Sequence, residues 1–241
     1  MDLNVAGPAN GPALVLSNAL GTTREMWDAQ VPVLDDLFRV IRYEHPPRAD
    51  VPSLANELLA ALDQAGIERF SFCGLPLGGM VGMWIGATAP ARTDRLVLAC
   101  TTARFGTPAE WSERAAIVRS HGMDSVAREA LEKWFTPVYA KRARFLAMQL
   151  QYEPEAYARG LEAIGGFDFR DRLQEIQAPT LVIAGAADTA TTPADAAFLC
   201  ERIPRGELSI LPRAAHLANV EQSSAFTAAL LEHLGGRSVS S

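Results

Sequence analysis

Short apolar runs recur along the chain at 13–16, 38–43, 70–73, 95–100, 180–185 and 207–211. Each has the length of a strand. Between them, apolar residues return at helical spacing in 53–65, 80–89, 194–202 and 224–234. Ser53 reads as the N-cap of the first of these helices and Gly66 as its C′ residue; Pro90 stops the second. The segment 23–37 carries Trp27, Val31 and Leu34 at helical spacing, with Pro32 as an interruption. Glu44-His45-Pro46-Pro47-Arg48 cannot be regular structure. From Arg104 to about Ile164 the pattern is helical only, and the tail from Gly235 to Ser241 is expected to fray.

Strands alternating with helices predict an α/β fold, with a mostly parallel central sheet covered by helices on both faces. The helical stretch returns to the same sheet at both ends. It reads as a cap at 104–165 inserted in a core of 1–103 and 166–241, within one domain overall.

Composition narrows the function. The 241 residues are 49% hydrophobic and 21% charged, enough apolar material for a sizeable core. A net charge of −6 gives no reason to expect nucleic acid or an anionic membrane surface as a partner. No apolar run approaches a membrane span, and the N-terminus has no basic segment followed by an apolar stretch. Cys73, Cys100 and Cys200 are odd in number, widely spaced and without a histidine cluster. They read as free thiols of a cytoplasmic protein that needs no metal and no cofactor.

The chemistry centres on residues 68–90, where a short strand meets a Gly-bounded turn and then a helix. That order is the setting in which G-x-S-x-G presents a nucleophilic serine. Here the frame is Gly74-Leu75-Pro76-Leu77-Gly78, so proline occupies the serine position. Proline offers no attacking group. Its ring holds φ near about −65°, which excludes the usual left-handed elbow, pushes Leu75 toward extended backbone and suits the first turn of a helix. A relaxed turn with a re-aimed Leu77 N–H is expected. Cys73, three residues earlier, is the nearest substitute nucleophile, but the end of a strand directs it into the sheet.

The chain resembles the α/β-hydrolase superfamily, and within it the 3-oxoadipate enol-lactonase branch, in four stretches. These are Leu16-Ser17-Asn18-Ala19-Leu20-Gly21-Thr22 with Met26-Trp27, the Phe72–Trp84 elbow, Trp134-Phe135-Thr136-Pro137, and His216-Leu217-Ala218-Asn219-Val220-Glu221-Gln222. The resemblance implies Asp188 as the acid and His216 as the base of a triad whose serine is replaced by Pro76. It also implies an oxyanion hole from the N–H groups of Ala19 and Leu77, and a pocket wall at Trp134. Two features depart from the family pattern: Pro76 itself, and a short 44–48 loop where an Arg-Gly-His-Gly loop is expected. Pro212-Arg213-Ala214-Ala215 also lacks a glycine often found there.

His216 and Asp188 are either a working acid–base pair or relics that steady two loops. His45 either borders the cleft or is an exposed loop histidine, and His121 is assigned no role. Arg42, Arg48 and Arg104 either hold a substrate carboxylate or are solvated. The resemblance therefore implies an enzyme acting on a small lactone, ester or related carboxylated compound of aromatic origin, through His–Asp chemistry without serine. The alternatives are an inactive ligand-binding relative, or a lyase, isomerase or cyclase using the same pocket. A proline introduced into an ordinary lactonase would have left the 44–48 loop intact.

Overall fold

The computed structural model describes residues 1–235; the tail from Gly236, expected to fray, lies outside the described residues. Seven strands form one sheet: β1 (Leu3–Ala6), β2 (Ala13–Ser17), β3 (Arg39–Tyr43), β4 (Phe70–Gly74), β5 (Thr93–Ala99), β6 (Thr180–Gly185) and β7 (Gly206–Leu211). The order is β1-β3-β2-β4-β5-β6-β7, with β1 antiparallel to β3 and every other pair parallel. β1 is the strand the sequence pattern misses. It is four residues long and partly exposed at the sheet edge, so it carries no apolar run.

Strand residues alternate between two buried layers, as a period of two requires. Val15, Ile41, Phe72, Leu96 and Val182 enter one layer, and Leu14, Leu16, Val40, Val97 and Ile183 the other. The first layer is covered by α2 (Val51–Gln64), α3 (Leu77–Thr88) and α8 (Pro193–Arg202). The second is covered by α1 (Val31–Leu34) and α10 (Ser223–Leu234), which follows the short α9 (Ala218–Glu221). Between β5 and β6 run α4 (Pro108–His121), α5 (Asp124–Trp134), α6 (Ala143–Leu150) and α7 (Pro154–Gly165).

Several boundaries differ from the sequence reading for local reasons. The segment 23–37 is not one helix but a 3₁₀ turn at Arg24–Trp27 and the four-residue α1, because Pro32 has no N–H and can sit only at a helix start. α2 begins at Val51, and Asp50 rather than Ser53 caps it, its carboxylate accepting from Ser53 N at 2.7 Å. Pro52 in the first turn marks that earlier start. Gly66 closes α2 at φ +68°. α3 begins at Leu77 rather than Met80, directly after Pro76.

Candidate active site

The parallel register places Ser17 beside Gly74 at the carboxyl ends of β2 and β4. The two following turns are tied together there, Leu75 N donating to Ser17 O at 3.1 Å. A Cβ on Gly78 would overlap Ser17 O, and one on Gly74 would overlap Gly78 O. A Cβ on Gly79 would stand 2.6 Å from Thr101 Cγ2. The glycine frame is therefore demanded by close backbone approach, whatever side chain stands at position 76.

Pro76 adopts φ −33° and ψ −61°, a right-handed conformation that opens α3. Its carbonyl accepts from Met80 N at 3.1 Å and Thr101 Oγ1 at 2.8 Å. No residue between Leu75 and Gly78 has positive φ. Leu77 is the first residue of α3, where amides have no intrahelical acceptor, and among the described residues nothing accepts from its N–H. Ala19 differs from expectation. Its N–H donates to Met26 Sδ at 3.2 Å, a sulfur that also accepts from Thr22 Oγ1 at 3.0 Å. Of the two expected oxyanion donors, only the Leu77 amide is uncommitted.

Asp188 sits in the loop after β6 and His216 in the loop after β7, and neighbouring parallel strands bring the two together. His216 Nδ1 donates to Asp188 Oδ2 at 2.8 Å. Three further donors fix that carboxylate: Ala190 N at 2.8 Å, Thr191 N at 3.0 Å and Thr191 Oγ1 at 2.9 Å. With Nδ1–H spent on Asp188, neutral His216 presents Nε2 as an acceptor. The loop before His216 turns at Arg213, whose φ of +57° takes the left-handed conformation a glycine would accept at lower cost.

A cavity of about 100 Å3 is lined by Pro76, Leu77, Ala19, Trp134 and His216, with Asp188 buried behind the imidazole. The structure thus brings Pro76, Leu77, Ala19, His216 and Trp134 to one space. It does not bring His45 there. His45 is 9% exposed and turned inward, Nε2–H donating to Asn18 O at 2.9 Å, while its Nδ1 has no partner among the described residues. Burial lowers its pKa to about 4. Both readings of His45, cleft border and exposed loop histidine, are corrected by this inward turn.

The three arginines considered as carboxylate ligands are each paired outside the cavity: Arg42 with Asp28, Arg48 with Glu57 and Arg104 with Asp168. Arg114 of α4 and Lys133 of α5 line it instead. Nothing in their local pattern separates them from solvated helix cations, so sequence reasoning passed over them. Cys73 is fully buried among Leu16 and Val97, and burial pushes its thiol far up, which removes it as a nucleophile. The Cys100 thiol is pushed up to about 12, by burial first and the Asp188 charge second. His121 lies exposed at the end of α4, against Ser120. Among the described residues no group of three or more His, Cys, Asp or Glu is placed to hold a metal ion. Among the described residues no helix is long and apolar enough to cross a membrane.

A mostly parallel sheet with paired histidine and aspartate at its strand ends, facing a glycine-framed turn into a helix, defines an α/β-hydrolase architecture. The profile of the alpha/beta hydrolase family matches residues 14–230, and the chain belongs to that family. The chain is 37% identical over 240 residues to 3-oxoadipate enol-lactonase 2 of Acinetobacter baylyi, covering 93% of this chain and 89% of that protein. The crystal structure of the enol-lactonase from Burkholderia xenovorans LB400 superposes with a TM-score of 0.94 at 34% identity, covering 97% and 96% of the two chains. A hydrolase from Pseudomonas aeruginosa PA01 gives 0.93 at 39% identity, covering 97% and 94%.

Proposed function

We propose that the protein hydrolyses a small lactone or ester by general-base catalysis, with water in place of a serine nucleophile. The observation that carries this reading is the His216–Asp188 pair at 2.8 Å, with His216 on the wall of the cavity that Pro76 also lines. His216 Nε2 accepts a proton as water attacks the carbonyl. The tetrahedral oxyanion accepts a hydrogen bond from Leu77 N–H, and the imidazolium returns the proton to the departing alkoxide or enolate oxygen. Asp188 holds the imidazole with Nδ1–H inward and stabilises its cation. The similarity to enol-lactonases supports a cyclic enol ester as the substrate type.

Hydrolysis of an enol-lactone and of a p-nitrophenyl ester by wild type and His216→Ala tests this. Wild type should turn over above buffer, with a loss of roughly 10²- to 10⁴-fold in the variant. Equal rates in the two proteins contradict it. A second reading, a ligand-binding relative without turnover, is favoured by the commitment of the Ala19 amide to Met26 Sδ. It predicts no wild-type hydrolysis and restoration in Pro76→Ser.

A further inference from the structure

The peptide that joins Asn18 to Ala19 is gripped at both ends by buried side chains. At one end His45 Nε2–H donates to Asn18 O at 2.9 Å. At the other, Ala19 N donates to Met26 Sδ at 3.2 Å. Met26 and His45 are 2% and 9% exposed, and neither is among the described residues that line the cavity, although Ala19 is. The Ala19 N–H is therefore aimed into protein rather than at a carbonyl oxygen bound in the cavity.

The grip is weakest at the amide. A thioether is a poor acceptor, and Met26 Sδ is shared with Thr22 Oγ1 at 3.0 Å. An oxyanion in its place would make a charge-assisted bond roughly twice as strong as a neutral one. The rest of the turn is conventionally bonded. Ala19 O accepts from Thr22 N at 3.1 Å and from Thr22 Oγ1 at 2.8 Å, and Asn18 Nδ2 donates to Thr22 O at 2.7 Å. Rotation of this one peptide re-aims the N–H without unmaking the turn. Asn18 Oδ1 is buried without a partner among the described residues, a second sign that the polar groups of the loop are not all satisfied as it stands.

We infer that Met26 and His45 are positioning residues that hold the Asn18–Ala19 peptide with its N–H turned from the cavity, so that the oxyanion site is half-formed on Leu77 N–H until an anionic oxygen draws the Ala19 amide off the sulfur. The consequence for rate rests on the hydrolytic reading above, whereas the clasp itself does not. Binding of an unreactive anion keeps the two apart.

Phenyl methylphosphonate carries the tetrahedral, anionic centre of an attacked ester, and phenyl methanesulfonate is its uncharged counterpart. Met26→Leu removes the acceptor at nearly constant volume, and His45→Phe keeps a ring in place without its donor. In calorimetric titration each variant should bind the phosphonate about tenfold more tightly than wild type does, with sulfonate affinity unchanged. The double variant should gain little beyond the better single one, because both substitutions act on the same peptide. With isotopically labelled alanine, the Ala19 amide proton, identified by its loss in Ala19→Gly, should move downfield as the phosphonate binds. In ester hydrolysis each single variant should raise kcat about tenfold at constant KM, one oxyanion donor being worth roughly 10²- to 10³-fold. Phosphonate affinity equal to or below that of wild type in both variants is what a packing role alone predicts, and it overturns the clasp. So does an Ala19 amide that stays put in every one of these proteins, or no phosphonate binding up to about 10 mM. Tighter phosphonate binding in the variants without hydrolysis by any of them keeps the clasp and removes the hydrolytic reading.

Discussion

Proline at position 76 changes what one residue can do and leaves its surroundings almost untouched. The ring opens α3, its carbonyl is held by Met80 and Thr101, and the glycines around it are fixed by contacts that do not involve the side chain at position 76. His45 makes a different point at the same scale. Burial pushes its pKa down to about 4, against the hydrogen bond to the Asn18 carbonyl, and its Nδ1 has no partner among the described residues. The unfolded chain takes up that proton near pH 6.5 and the folded one only near pH 4, so stability falls as pH drops through that window. Against His45→Asn, wild type should lose an additional ~3 kcal/mol between pH 7.5 and pH 4, read from urea midpoints. Arg213 at φ +57° gives the opposite sign: Arg213→Gly should raise stability by up to about 1 kcal/mol in the same assay.

At the scale of elements, the cavity depends on how closely α4 and α7 approach. A Cβ on Gly165 would stand 2.6 Å from Trp111 Cβ, part of a helix backbone-proximal contact that cannot swing aside. Gly165→Ala should cost about 1–3 kcal/mol in thermal or chemical melts, because the two helices must separate. The strands β2 to β6 were legible because parallel strands covered on both faces bury most of their side chains, whereas β7, at the sheet edge, leaves Leu208 and Ile210 exposed. The edge strand β1 was not legible, and neither was Asp50 as a cap. His216 and Asp188 could be located only as residues following particular strands; their contact is a property of the β6–β7 pairing. The direction of the Ala19 amide, the inward turn of His45 and the cavity-facing cations depend on distant neighbours that no local pattern encodes.

Across the whole molecule, the helical segment between β5 and β6 is pinned to the loop that carries the candidate base. Glu221 accepts from Thr136 N at 3.0 Å and from Ala215 N at 2.8 Å, and Leu217 N donates to Trp134 O at 3.0 Å. One carboxylate thus couples the Trp134 wall of the cavity to the residue beside His216. Glu221→Ala should destabilise by about 1–3 kcal/mol, since it leaves buried amides unpaired. It should also lower any His216-dependent rate more than it weakens ligand binding. The measurement closest to the central claim is intact-protein mass spectrometry during ester hydrolysis by wild type, with the rate followed in parallel. Hydrolysis with an unchanged protein mass is the predicted result. An acyl adduct on the chain, or no hydrolysis at any substrate concentration, would contradict it.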